Sequence, residues 1–94
     1  MKITFDPNKD ATNKSKHGYS LADAKLLDWG NMVVVEDNRI NYGEIRYVGI
    51  TYGIAYLGNR IFSVCFTESN DFTECRIISL RLATKQEIRR YAET

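Results

Sequence analysis

At 94 residues, with 44% hydrophobic and 27% charged side chains, the chain suits one domain spanning residues 1–94. That is too short for a dinucleotide-binding fold joined to a substrate domain, and too apolar for a disordered segment. The net charge of +1 conceals an uneven distribution: Lys2, Lys9, Lys14 and Lys16 face only Asp6 and Asp10 in residues 1–19, eight acids meet four bases in residues 20–75, and Arg76, Arg81, Lys85, Arg89 and Arg90 face only Glu87 in residues 76–90. Apolar runs no longer than Met32-Val33-Val34-Val35 exclude a transmembrane helix, and two cysteines, Cys65 and Cys75, are too few for a disulfide framework, so a cytoplasmic location without membrane association is expected.

Residues 1–5 are expected to form a short strand or an extended arm. Asp6-Pro7 then supplies an N-cap and a proline at the first helical position, where its missing N–H is harmless. This helix should run to about His17 and stop at Gly18. Ser20-Leu21-Ala22-Asp23 opens a second helix with a capping-box-like start, places Leu21, Ala24 and Leu27 on one face, and ends at Gly30-Asn31. The period then changes to two. Strands are expected over 32–36, 44–52, 60–68 and 74–82, with polar turns at 37–43 and 69–71. Thr84 and Glu87 form a capping box that opens a C-terminal helix with Ile88, Tyr91 and Ala92 on its apolar side. The order β-α-α-β-β-β-β-α predicts an α+β fold with two N-terminal helices, an antiparallel sheet and a C-terminal helix.

Side chains alternate faces along a strand. Phe62, Val64 and Phe66 share one parity, as do Ile78, Leu80 and Leu82 in the last strand and Val48 and Ile50 in the third; these sets are expected to face the core. Arg46, Glu68 and Arg76 carry the same parities, so a regular meander would gather them at one rim, on the helix-covered side. A bulge or a one-residue slip would move any of them to the other face. Such an Arg–Glu–Arg cluster is either an ion-pair network tying strand ends together or a phosphate grip with an attendant base. Arg81 shares a face with Ser79. Lys16 and His17 end the first helix, where a cation suits the macrodipole and a histidine lining a cleft would serve as general acid or base. Tyr19, Tyr47 and Tyr91 are the candidates for stacking a base. No CxxC or HxxxH spacing and no glycine-rich phosphate loop occurs, so neither a metal nor a cofactor is expected.

Taken together, several segments resemble the BrnT family of bacterial type II toxins. They are Phe5-Asp6-Pro7-Asn8-Lys9, then Asn13, Lys16-His17-Gly18-Tyr19-Ser20, Arg46-Tyr47-Val48-Gly49, Val64-Cys65-Phe66-Thr67-Glu68 and the run from Arg76 through Ile77, Ile78, Ser79 and Arg81 to Thr84, with Glu87, Arg90 and Tyr91 following. The resemblance implies a RelE-like fold, ribonuclease activity without a metal, neutralisation by a BrnA-type antitoxin, and contact with operator DNA only through the antitoxin complex. On this reading Arg46, Arg76 and Arg81 hold the phosphate, Glu68 or His17 acts as base or acid, Lys16 adds electrostatic stabilisation, and Tyr91 stacks or donates a proton. Lys14, Tyr19, Lys85, Arg89 and Arg90 would contact the RNA. The alternative is a catalytically weak or inactive toxin-like module acting through antitoxin and DNA or RNA binding.

Overall fold

The computed structural model describes residues 2–38, 40–41, 43–69, 71 and 73–93. A five-stranded sheet in the order β1-β5-β4-β3-β2 is built from β1 (Lys2–Phe5), β2 (Val33–Glu36), β3 (Tyr47–Tyr52), β4 (Ile61–Glu68) and β5 (Glu74–Leu82). Helices α1 (Pro7–His17) and α2 (Lys85–Ala92) and a 3₁₀ helix over Leu21–Leu26 complete a mixed α+β fold. The turns expected at 37–43 and 69–71 run through Arg39, Tyr42 and Asn70, which lie outside the described residues. Among the described residues, no helix is long and apolar enough to cross a membrane.

Local chemistry sets the helix ends. Asp6 accepts a hydrogen bond from the Asn8 N–H at 2.8 Å, Pro7 occupies the first turn, and Gly18 closes α1 at φ 80°. Thr84 and Glu87 cap α2 reciprocally. Two expectations need correction. The segment after Ser20 is a 3₁₀ helix, not an α-helix. Its buried residues Leu21 and Ala24, with the buried Leu27 just past its end, recur at a spacing of three, the repeat at which 3₁₀ side chains eclipse. The sheet is also not wholly antiparallel, because β1 pairs in parallel with β5. A parallel pair needs a long crossover, and here almost the whole chain separates the two strands.

The main core lies between the sheet and the 3₁₀ helix, where Leu21, Ala24, Phe62, Val64, Ile77 and Leu80 are all fully buried. Phe62, Val64 and Phe66 align with Thr51, Gly49 and Tyr47 on β3. Val48 and Ile50 therefore point the other way, contrary to the parity expectation. Ile50 is nevertheless buried, because α2 packs against β3 on that second face.

At the other side of the sheet, β1 covers β5 only as far as Ile77. Beyond it, α1 takes over the edge. The buried Asn13 amide donates to the Leu80 carbonyl at 2.8 Å and accepts from the Leu80 N–H at 3.0 Å. It also donates to the Tyr19 carbonyl at 2.9 Å. One side chain thus imitates a length of strand and pins α1 beside β5. Asp10 anchors the next turn by accepting from the Leu21 N–H and the Ser20 hydroxyl. The Leu21 bond lowers the Asp10 carboxyl below its ordinary value against the opposing effect of burial.

Candidate active site

The register of β5 against β4 determines where the basic side chains go. Phe62 pairs with Leu82, Val64 with Leu80 and Cys65 with Ser79; after a shift, Phe66 pairs with Ile77, Thr67 with Arg76 and Glu68 with Cys75. Ile78 is the additional residue, a bulge in β5. Up to Ile77 the odd-numbered residues of β5 face the core, and beyond Ile78 the even-numbered ones do. Cys75 and Ile77 consequently fill the core positions expected of Arg76 and Ile78. Arg76, Ser79 and Arg81 all emerge on the opposite face, aligned with Thr67, Cys65 and Ser63.

The expected Arg46–Glu68–Arg76 cluster forms with a different acid. Glu44 accepts from Arg76 at 2.7 Å and from Arg46 at 3.1 Å. Glu68 keeps the core-side parity of Phe66 and lines an apolar hollow with Trp29, Met32, Val34 and Tyr47. Its position at the end of β4 also brings it to a polar hollow shared with Glu44 and Thr67, but neither arginine pairs with it among the described residues. The bulge turned Arg76 over, and Arg46, one residue before β3, reaches the same carboxylate.

Arg81 is held separately. Both of its terminal nitrogens donate to Glu87, at 2.8 and 3.2 Å, and Glu87 also accepts from the Thr84 N–H at 2.8 Å. Burial works to raise the Glu87 carboxyl, yet the bonds from Arg81 and Thr84 and the Arg81 charge outweigh it and hold the carboxyl at about 2.

A shallow cleft of about 370 Å³ runs between α1 and β5, lined by Asn8, Lys9, Thr12, Asn13, Lys16, His17, Ile78 and Ser79. Among the described residues its lining holds two lysines and the histidine and no acid. Ser79 joins this cleft to the arginine face, since it lies between Arg76 and Arg81 on their side of the strand. Lys16 and His17 are exposed on the last turn of α1, with the Asn13 contacts one turn earlier fixing their position. The arrangement can bind a chain of phosphates, with an imidazole among the cations.

Other sequence candidates lie elsewhere. Tyr19 is half-buried, edge-on to Phe62 at 5.0 Å and covered by Arg60 at 5.8 Å, so its ring belongs to the packing. Tyr47 stacks on Phe66. Tyr91 is half-buried on α2, close enough to Tyr52 to influence its hydroxyl. Lys14 pairs with Asp10 at 3.3 Å. Lys85, Arg89 and Arg90 are exposed on α2. Burial pushes the Cys75 thiol up to about 12, with the Glu68 charge adding to it, so that cysteine is inert. Among the described residues, no three His, Cys, Asp or Glu side chains gather to hold a metal. Sequence reading assigned no site role to Lys9, Glu44, Asn13 or Ser79, although Lys9, Asn13 and Ser79 stand among the residues that carry the family resemblance. The doublet Ile77-Ile78, two successive apolar residues in an alternating strand, is the signal that would have revealed the bulge.

The family model for the ribonuclease toxin BrnT of type II toxin-antitoxin systems matches residues 5–87. The chain belongs to the BrnT family. The crystal structure of the Brucella abortus ribonuclease toxin BrnT is similar to it at a TM-score of 0.67 and 26% identity, over 90% of this chain and 99% of that one. No curated protein matches the chain. The region of BrnT likeness takes in both walls of the cleft, the bulge, Arg46, Arg76 and Arg81 with its partner Glu87; Arg89, Arg90 and Tyr91 fall beyond it.

Proposed function

We propose that the chain is an endoribonuclease toxin of RelE-like type, which cleaves RNA in the cytoplasm without a metal ion, halts translation and is neutralised by a BrnA-type antitoxin. The antitoxin complex, not the toxin alone, contacts operator DNA. What carries this reading beyond family membership is Ser79, which lines the cleft of Lys9, Lys16 and His17 and also stands between Arg76 and Arg81. A polynucleotide lying across the strand would meet cations on both sides of the imidazole.

The chemistry requires a base for the 2′-hydroxyl, an acid for the leaving 5′-oxygen and cations for the phosphate as charge builds. His17 takes the 2′ proton as the 2′-oxygen attacks phosphorus. The bond from phosphorus to the 5′-oxygen breaks, and Lys16 delivers a proton to that oxygen. The products are a 2′,3′-cyclic phosphate and a free 5′-hydroxyl. Arg76, with Arg46 beside it, exchanges Glu44 for one phosphate, and Arg81 holds another. Lys14, Lys85, Arg89 and Arg90 extend the basic surface. Neither Glu68 nor Tyr91 takes a chemical step.

Cleavage of a generic RNA in the presence of a chelator tests this. His17→Ala should slow it by about 100-fold or more, the scale of a lost general base. Arg76→Ala should slow it too, with a melting curve alongside because Arg76 also binds Glu44. Undiminished cleavage by His17→Ala, or no cleavage without added metal, would refute the mechanism. One observation favours the non-catalytic alternative: Arg46, Arg76 and Arg81 are already satisfied by carboxylates. Growth arrest on induction of the chain without its antitoxin separates the two readings, since an inert module would cause none.

A further inference from the structure

The β2 side of the sheet carries a surface that the proposed reaction does not use. Among the described residues β2 pairs only with β3, so its outer N–H and C=O groups have no strand partner there. Edge strands are commonly guarded by lysine, proline or a bulge; this one reads Val33-Val34-Val35-Glu36, with Val34 45% and Val35 41% exposed. Next to it lies the hollow of about 290 Å³ lined by Trp29, Met32, Val34, Tyr47, Phe66 and Glu68. Trp29 meets Phe66 edge-on at 5.2 Å, and Met32 lies over Gly49, where a Cβ would collide with its sulfur. Glu36 is on the same sheet face, because it pairs with Tyr47, which pairs with Phe66. Neither Glu36 nor Glu68 forms an ion pair with another described residue.

We infer that the antitoxin docks here, adding an extended segment to the β2 edge and placing an arginine or lysine in the hollow. This rests on the toxin reading only in requiring a protein partner. An apolar floor with a negative rim fits a side chain that is aliphatic along its stem and cationic at its tip, and the aromatic rings favour the cation further. The backbone of the added strand supplies hydrogen bonds that any sequence could make, and the hollow supplies the selection. RNA is disfavoured by the two carboxylates. A second copy of the chain pairing through β2 would bring the same carboxylates to the same interface, so the complementary partner is basic at this point.

The test uses a BrnA-type antitoxin co-expressed and purified with the chain. Glu36→Lys with Glu68→Lys should weaken the complex by at least about 30-fold, the scale of losing a central interface anchor. Glu36→Gln with Glu68→Gln should weaken it less, and melting curves of both variants establish that they fold. Hydrogen exchange should show new protection at residues 33–36 on antitoxin binding. Unchanged affinity in the reversed variant, or protection confined to α1 and α2, would overturn the inference. So would a wild-type chain that sediments alone as a dimer and is made monomeric by the reversal. RNA cleavage by the free Glu36→Lys variant should match wild type. If wild type itself cleaves nothing while docking behaves as described, the ribonuclease reading fails and the docking surface stands.

Discussion

Past Ile77 the β5 edge of the sheet is closed by a side chain, whereas the β2 edge is left open. At β5 the Asn13 amide makes both hydrogen bonds of Leu80 that a neighbouring strand would have made. At β2 the outer backbone of Val33–Glu36 has no strand partner among the described residues, and Val34, Val35 and Glu36 are exposed. The charges differ as well: the closed edge carries Lys9, Lys16 and His17, and the open one carries Glu36 with Glu68 nearby. A closed edge holds a helix rigidly enough to fix a cleft against the sheet. An open edge leaves backbone groups for another chain. The contrast separates the surface suited to a polyanion from the surface suited to a polypeptide.

The strongest way to break the contrast is to open the closed edge. Asn13→Ala removes three hydrogen bonds and leaves the buried Leu80 N–H and C=O without partners, which should cost about 2–4 kcal/mol of stability in a denaturant titration. Cleavage should fall with it, even where the protein stays folded, because Lys16 and His17 lose their anchor. A loss below about 0.5 kcal/mol, the range of a surface substitution, would mean that α1 is held mainly by other contacts.

A smaller effect is expected where β5 leads into α2. Glu87→Gln retains the shape of the capping box but loses the charged bond to Arg81, and should cost about 1 kcal/mol. The folded carboxyl lies at about 2 against an ordinary 4.5, so its contribution is fully present above about pH 4.5 and fades as the pH falls toward 2. Wild type and variant should therefore converge in stability across that interval. A difference that persists unchanged to pH 2 would place the effect elsewhere.

The smallest effect belongs to the open edge. Val35→Lys puts a charge on an exposed edge position and should change the stability of the free chain by no more than about 0.5 kcal/mol, read as a melting temperature. A large loss would show that β2 contributes more to the fold than its exposure suggests.

Much of this fold was legible in the residues, and the reasons are local. Asp6-Pro7 with Gly18, and Thr84 with Glu87, set helix ends through short-range hydrogen bonding, and both helices begin at the expected caps. Strand β5 runs over the residues that alternation indicated. What was not legible depended on registers between distant segments. Val48 and Ile50 alternate as core residues should, but β3 has helix α2 on one face and the main core on the other, so parity alone could not say which core they join. Leu21, Ala24 and Leu27 suit an α-helix and a 3₁₀ helix equally until the spacing of three is given weight. Arg46 and Arg76 meet as a regular meander would have them meet, but across Glu44, which was expected to begin the strand over 44–52 and was not among the site residues; the strand begins instead at Tyr47. Three of the basic candidates, Lys16, His17 and Arg81, gain a shared setting only through Ser79, a residue with no chemical distinction in the sequence.

The extra residue at Ile78 shifts the phase of β5 halfway along its length. A relative without that insertion would have to carry its cation one place later in the chain to point it the same way. Matching the two strands column by column would then set an outward arginine against an inward aliphatic, and the guanidinium would look lost when it had only moved.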